Sequence, residues 1–268
     1  MNKSAIAHHT GSRLPLLGQA TDAYQDRSVL PALQDHFARV WVHSPPVQGS
    51  GRSVIIPDGC LDLIWFNGVL VVAGPDRQAK EEFVPPGGVV VGLQFRPGAA
   101  ASWLRVPVRE IADSRVRLED FWGPDARHAA EWIGEETEPT RIAGRLETAA
   151  LHRLPAIGTP HRLAQALFRQ IELHEPSAGP LMQRLQRSFG LSERTLRRLS
   201  TVAFGYGPKV LDRILRFQRF MRLAHGSDGD GLAELAFAAG YSDQPHLTRE
   251  ARRLSGLTPE AIRAQLRS

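Results

Sequence analysis

The same supersecondary pattern occurs twice near the C-terminus, and this repeat restricts the fold of that region more than any other feature of the chain. Gly190 follows Leu181, Leu185 and Phe189, and Gly240 follows Leu232, Leu235, Ala236 and Ala239, spacings that place the apolar residues on one buried helix face. Each glycine stands where a helix needs a left-handed cap. The sequence then reads Leu-Ser-Glu-Arg-Thr-Leu-Arg-Arg after Gly190 and Tyr-Ser-Asp-Gln-Pro-His-Leu-Thr-Arg after Gly240. With Ser192 and Asp243 as N-caps, Leu196 and Leu247 fall four residues on, and Arg198 and Arg249 six residues on. "GYGP" at Gly205–Pro208 and "GLTP" at Gly256–Pro259 keep the same 51-residue offset, glycine ending one helix and proline opening the next. Each unit therefore predicts a helix, a tight glycine turn and a second helix. Pro245 falls in the first turn of its helix, where the missing N–H breaks no intrahelical bond.

Between the units, Lys209–His225 is amphipathic through Val210, Ile214, Phe217, Met221 and Ala224, with Arg213, Arg216, Arg219 and Arg222 recurring every third residue. A helix of these 17 residues is about 25 Å long. One isolated unit would suit an ordinary helical hairpin. Two units held apart by such a helix read as paired helix-turn-helix elements, whose second helices enter adjacent major-groove faces of DNA about 34 Å apart. Charge agrees in position: the chain's formal +5 divides into 16 Lys+Arg against 18 Asp+Glu up to Thr159, and 17 against 10 from Pro160 onward. Sixteen of those 17 cations are arginine, the side chain suited to phosphates and guanine edges. The scarcity of lysine throughout makes genome composition a second source of that excess.

Other classes are excluded or disfavoured. No apolar run approaches the roughly 18–20 residues of a membrane span, and Gly68–Gly74 and Val89–Leu93 read as buried strands. His8, His9 and Gly11 interrupt any N-terminal apolar region, so a cytoplasmic protein is expected. Cys60 is the sole cysteine, which excludes an intrachain disulfide and a multi-cysteine zinc site.

The N-terminal half has a different texture. "RVWVH", "RSVIIP", "CLDLIWF", "GVLVVAG" and "GVVVGLQF" are short β-rich runs between turn formers. "AAASWLRVPVREIAD" reads as helical, and Asp125–Leu154 as one or two charged, alanine-rich helices forming a linker or dimerisation element. Catalysis is not expected. His36 and His43 are the histidines near strands and form no HxH pair, so no metal or cofactor is expected. Asp58 reads as a turn residue in "PDG", and Asp62 as a cap or a partner of Arg96, rather than as an acid/base pair. Cys60 is either a buried core thiol or a reactive sensor. Trp65, Phe66, Phe95 and Trp103 are either core or the lining of an apolar pocket.

The C-terminal region, from about Pro160 to Ser268, resembles the AraC/XylS family of bacterial transcription regulators. The most specific part is "LAFAAGYSDQPHLTREARRLSGLTPEAIR", and "GLSERTLRR" with "GYGPK" is a looser match. The resemblance implies two helix-turn-helix units joined by a long helix, reading consecutive major grooves of double-stranded DNA. It points to Arg194, Thr195, Arg197 and Arg198 in the first recognition helix, and to Gln244, His246 and Arg249 in the second. On their own chemistry, arginine suits guanine and glutamine suits adenine, and the base-reading residues are expected on the face opposite Leu196 and Leu247. Glu193 is expected to cap or to read cytosine. Leu199 and Ala251 depart from the phenylalanine common at those family positions. "IPDGCLDLIW" and "VGLQFRPGAAASWL" resemble a sensor domain found ahead of this unit, similar in role to cupin-like effector domains.

The expected architecture is α+β: an N-terminal extension over 1–36, a small β-rich, cupin-like domain over 37–125, a helical linker over 126–159 and an all-α DNA-binding domain over 160–268. A small-molecule effector at the N-terminal domain, RNA polymerase and a second copy of the chain are the further partners implied. A domain that only dimerises, and an enzyme domain fused to a DNA-binding module, stay open as alternatives.

Overall fold

Leu63 and Trp65 are buried on one side of their strand while Ile64 and Phe66 pack on the other, so this strand needs cover on both faces. The protein, seen here as a computed structural model, is described over residues 24–48, 50–175, 178–226 and 229–266. Its strands are β1 Tyr24–Arg27, β2 Phe37–His43, β3 Arg52–Ile55, β4 Asp62–Phe66, β5 Val69–Ala73, β6 Lys80–Phe83, β7 Val90–Phe95 and β8 Arg115–Arg117. Six of them form an antiparallel sheet in the order β1-β2-β7-β4-β5-β8, and β3 pairs with β6 as a separate antiparallel ribbon. The ribbon covers one sheet face, where Trp41, Val84 and Val90 are buried with Ile64 and Phe66 against them.

The other face is covered by helices: α1 Ala100–Leu104, α2 Glu119–Trp122, α3 Pro124–Gly134 and α4 Pro139–Arg153. Val40, Leu63, Trp65, Val91, Leu93 and Phe95 meet Ile133, Ile142 and Leu146 there. The segment expected as a helical linker over 126–159 is thus corrected: its helices bury their apolar stripe on the sheet and complete the domain core. Glu147 of α4 is 1% exposed, pairs with Arg27 at 2.6 Å and accepts from the Leu30 N–H at 2.8 Å. That pair also corrects the expected 1–36 extension, because β1 and the turn after it belong to the domain; residues 1–23 lie outside the described residues. The helix read across "AAASWLRVPVREIAD" ends at Leu104, since Arg105 turns left-handed (φ 58°) and Pro107 disfavours helix at Val106.

The C-terminal domain is all helical: α5 Arg162–Glu172, α6 Leu181–Phe189, α7 Glu193–Phe204, α8 Pro208–His225, α9 Leu232–Ala239, α10 Gln244–Ser255 and α11 Pro259–Leu266. Leu196, Phe204, Phe217, Phe220, Leu247 and Ile262 are each 1% exposed or less and share one core. Ile56 of the N-terminal domain is buried in that same cluster, so the domains are packed together rather than strung apart.

Candidate nucleic-acid interface

The first unit is α6–Gly190–α7. Gly190 closes α6 with φ 63°, and the Ser192 hydroxyl accepts from the Thr195 N–H at 3.2 Å to start α7. Leu196 is fully buried, which turns the Arg194 and Arg198 side of α7 outward. Arg194, Arg197 and Arg198 are exposed and Thr195 is half-buried. Glu193 pairs with Arg197 at 2.5 Å, one turn on, so its carboxylate is engaged in the helix rather than held out for a base. Thr195 and Arg198 also line a crevice of about 550 Å³ closed on its far side by Gly98, Ala101 and Ser102 of the N-terminal domain.

The second unit, α9–Gly240–α10, repeats this. Gly240 caps α9 with φ 91°, Asp243 Oδ1 accepts from the His246 N–H at 2.6 Å, and Pro245 lies in the first turn. That N–H holds the Asp243 carboxyl below the usual range. Leu247 is fully buried and Arg249 exposed. His246 is half-buried, its ring edge-on to Tyr241 at 5.2 Å and its Nδ1 3.2 Å from the Ser242 hydroxyl. Gln244 does not share the Arg249 face. At about 100° per residue it lies only about 60° from Leu247 around the helix, and it is half-buried at the helix entrance. The expectation that all the second-unit readers lie opposite Leu247 is corrected accordingly.

The linking helix α8 spans 18 residues, about 27 Å. By chemistry its four arginines are candidate phosphate contacts, and three are committed internally. Arg213 is 3.4 Å from Glu250, Arg219 donates to the carbonyls of Glu172 at 2.6 Å and Ala239 at 3.5 Å, and Arg216 pairs with Asp212 over the Tyr241 ring. The Arg216 side chain is 15% exposed, which removes it from the candidate phosphate contacts. Arg222 is exposed, with no hydrogen-bond or ion-pair partner among the described residues. The arginine repeat therefore ties α8 to the second unit and to the end of α5, and leaves one guanidinium outward.

Residues 185–265 match the helix-turn-helix domain family. The C-terminal domain is an AraC-type helix-turn-helix domain. This makes the chain a DNA-binding protein of the transcription-regulator class. Residues 30–117, ahead of the AraC-type domain, match a domain of unknown function (DUF6597). No curated protein matches the chain. Among solved structures, an apo variant of ToxT from Vibrio cholerae strain SCE256 aligns over 92% of this chain and 99% of that one, at 7% identity and TM-score 0.44. ToxT from strain O395 gives 92%, 99%, 7% and 0.43, and unsaturated fatty acid-bound ToxT gives 90%, 93%, 9% and 0.41. These overlaps are too loose to carry a residue or a ligand across.

Besides the approach of Gly98 to Ala164 and of Val108–Glu110 to α7, the N-terminal domain grips the AraC-type domain at two places. The connection Pro75–Ala79 runs past the C-terminal ends of both recognition helices: the Ala79 N–H donates to Leu254 O at 2.7 Å, and Arg77 reaches Gly205 O at 3.4 Å. Pro75 sits so close to Gly205 that an added Cβ there would come within 2.7 Å of it. The connection is fixed from behind, since Asp113 accepts from the Arg77 N–H at 2.8 Å and Asp76 holds Arg115 at 2.8 Å and Lys80 at 2.9 Å. At the second place Gln218 of α8 donates to Pro57 O at 2.7 Å, and Gly59 packs on Leu211 and Phe168.

Asp58 acts as the sequence suggests, accepting from the Cys60 N–H at 2.9 Å in the turn. Asp62 neither caps nor meets Arg96. It accepts from Trp41 Nε1 at 2.7 Å, while Arg96 bonds Gln34 O. Burial, with the neighbouring Asp58 charge, pushes Asp62 up to about 7, and burial likewise raises Asp58 and Cys60. Cys60 is half-buried at the wall of a cleft between the domains, which corrects the core-thiol reading. Trp65, Phe95 and Trp103 are core. Phe66 lines a small apolar cavity of about 160 Å³ between sheet and ribbon. His36 is buried and its Nδ1 accepts from Trp103 Nε1 at 3.0 Å.

Proposed function

We propose that the chain is a non-catalytic transcription regulator that reads two successive major grooves, α7 in one and α10 in the next, under the control of an effector sensed through its N-terminal domain. The supporting observation is the pair of recognition helices, each capped at its N-terminus, each anchored by a fully buried leucine, and each presenting exposed arginine opposite that anchor. Arg194, Arg198 and Arg249 are the base readers in this reading, with Arg197, Thr195, Gln244 and His246 beside them at the groove edge. RNA polymerase and a second copy of the chain are the further partners it implies.

Mapping the chain's binding sites on its own genome gives the cognate sequence, and Arg249→Ala then tests the readout. The variant should lose about 1–3 kcal/mol at that site and relax discrimination at one base position. Equal weakening on cognate and unrelated DNA would remove Arg249 from the base readers.

A further inference from the structure

Between the two domains lies a cleft of about 790 Å³, a volume in the range of metabolite sites. One wall comes from the N-terminal sheet and carries Arg39 and Arg96; the other comes from α5 and α8 and carries Arg169 and Arg222. Three carboxylates, Asp35, Asp58 and Glu172, oppose these four guanidiniums. Burial further disfavours the charged form of Asp58. Arg39 is held by Asp26 and Gln94, and Arg96 by Gln34 O, whereas Arg169 and Arg222 have no hydrogen-bond or ion-pair partner among the described residues. Gln94, Gln165 and Gln218 add amide donors and acceptors, and apolar lining comes from Pro97, Phe168 and Leu215. An excess of guanidinium over carboxylate, with amides on both walls, suits a small anion that those polar groups can surround.

The cleft is wired to the DNA-binding helices through its floor. Gln94 Nε2 donates to Asp58 Oδ2 at 2.9 Å, the Asp58 turn continues into Pro57, and Pro57 O accepts from Gln218 of α8. A molecule bridging Arg96 to Arg222 would bear on both domains at once, and α8 is the helix that spaces the two units. We propose that this cleft binds a small hydrophilic anion, a carboxylate or phosphate ester of metabolite size, and that its occupancy sets how α8 is held against the N-terminal domain. This proposal rests on the regulator reading above and supplies its effector site and effector class.

Cys60, the sole thiol of the chain, lines the cleft and reports on it directly. The full-length protein would be alkylated with uncharged N-ethylmaleimide, at ionic strength fixed with chloride, in the presence of succinate, citrate, phosphoglycerate or inorganic phosphate. Glycerol and oleate serve as the neutral and lipid comparisons. At least one hydrophilic anion should slow the reaction about tenfold at ten times its Kd. The carboxylate and phosphate arms separate the two chemistries. The double variant Arg169→Gln/Arg222→Gln, altered at two exposed positions, should lose that protection while retaining its circular dichroism spectrum. No protection by any anion, protection by oleate or glycerol alone, or undiminished protection in the folded double variant would each overturn the proposal. Gel shifts on genomic fragments with the same preparation keep the two readings apart: intact DNA binding without protection sinks the cleft alone, and absent DNA binding sinks the regulator reading.

Discussion

Replacing Asp62 with asparagine should stabilise the protein above neutral pH and change little in acid. The Asp62 carboxyl is half-buried, bonded to Trp41 Nε1 at 2.7 Å, and held at about 7 against an ordinary 3.8, chiefly by burial and then by the Asp58 charge. The folded state therefore binds this proton more tightly than the unfolded chain does. The resulting stabilisation is fully present below about pH 4, is lost as pH rises to about 7, and stays lost above it. Three pH units correspond to an upper bound of about 4 kcal/mol. Water reaches part of the carboxyl and asparagine must hydrate a new amide, so we expect about 1–2 kcal/mol at pH 8. Asparagine keeps an acceptor for Trp41, so packing is not the variable. Urea unfolding of both proteins at several pH values measures it: the gap should open between about pH 4 and 7 and then level off. A gap independent of pH, or a wild type more stable than the variant at pH 8, would refute the reasoning.

Gly92→Ala places a Cβ 2.3 Å from the Trp41 ring, which Asp62 pins in place, so a loss of about 1–3 kcal/mol is expected in urea melts; a neutral result would mean the indole moves freely. Asp243→Ala removes the acceptor for the His246 N–H and should lower the urea midpoint and weaken DNA binding, both measurable on one preparation. Arg216→Ala should lower stability, because it strands the buried Asp212 carboxylate, yet leave the salt dependence of DNA affinity unchanged. A slope reduced by about one would restore Arg216 as a phosphate contact.

Much of this architecture is legible in the residues. The alternation through β4 and the apolar runs of β5 and β7 give the sheet, and the caps at Ser192 and Asp243 place both recognition helices. The strands "YQDR", "KEEF" and "RVR" escape such reading because they are charged and lie at sheet edges or in the ribbon, where pairing rather than an apolar face holds them. The α3–α4 segment misleads for a related reason: alanine-rich helices bury small side chains, so Ala126, Ala130, Ala143 and Ala150 carry little hydrophobic signal although all are core. Asp212 four residues before Arg216 was a visible cue that this arginine is occupied. Nothing local indicates that Arg213 meets Glu250 or that Ala79 meets Leu254, since those contacts join segments far apart in sequence.

The hold that Pro75–Ala79 keeps on the far ends of α7 and α10 has a consequence for the DNA. Inserting one base pair between the two half-sites turns the second by about 34–36° and moves it about 3.4 Å along the duplex. A pair of readers tied together only by α8 could follow that turn by bending. On the proposed two-groove reading, helices whose ends are also fastened to the Pro75–Ala79 connection follow it less easily, so helical phasing of the operator would depend partly on a loop of the N-terminal domain.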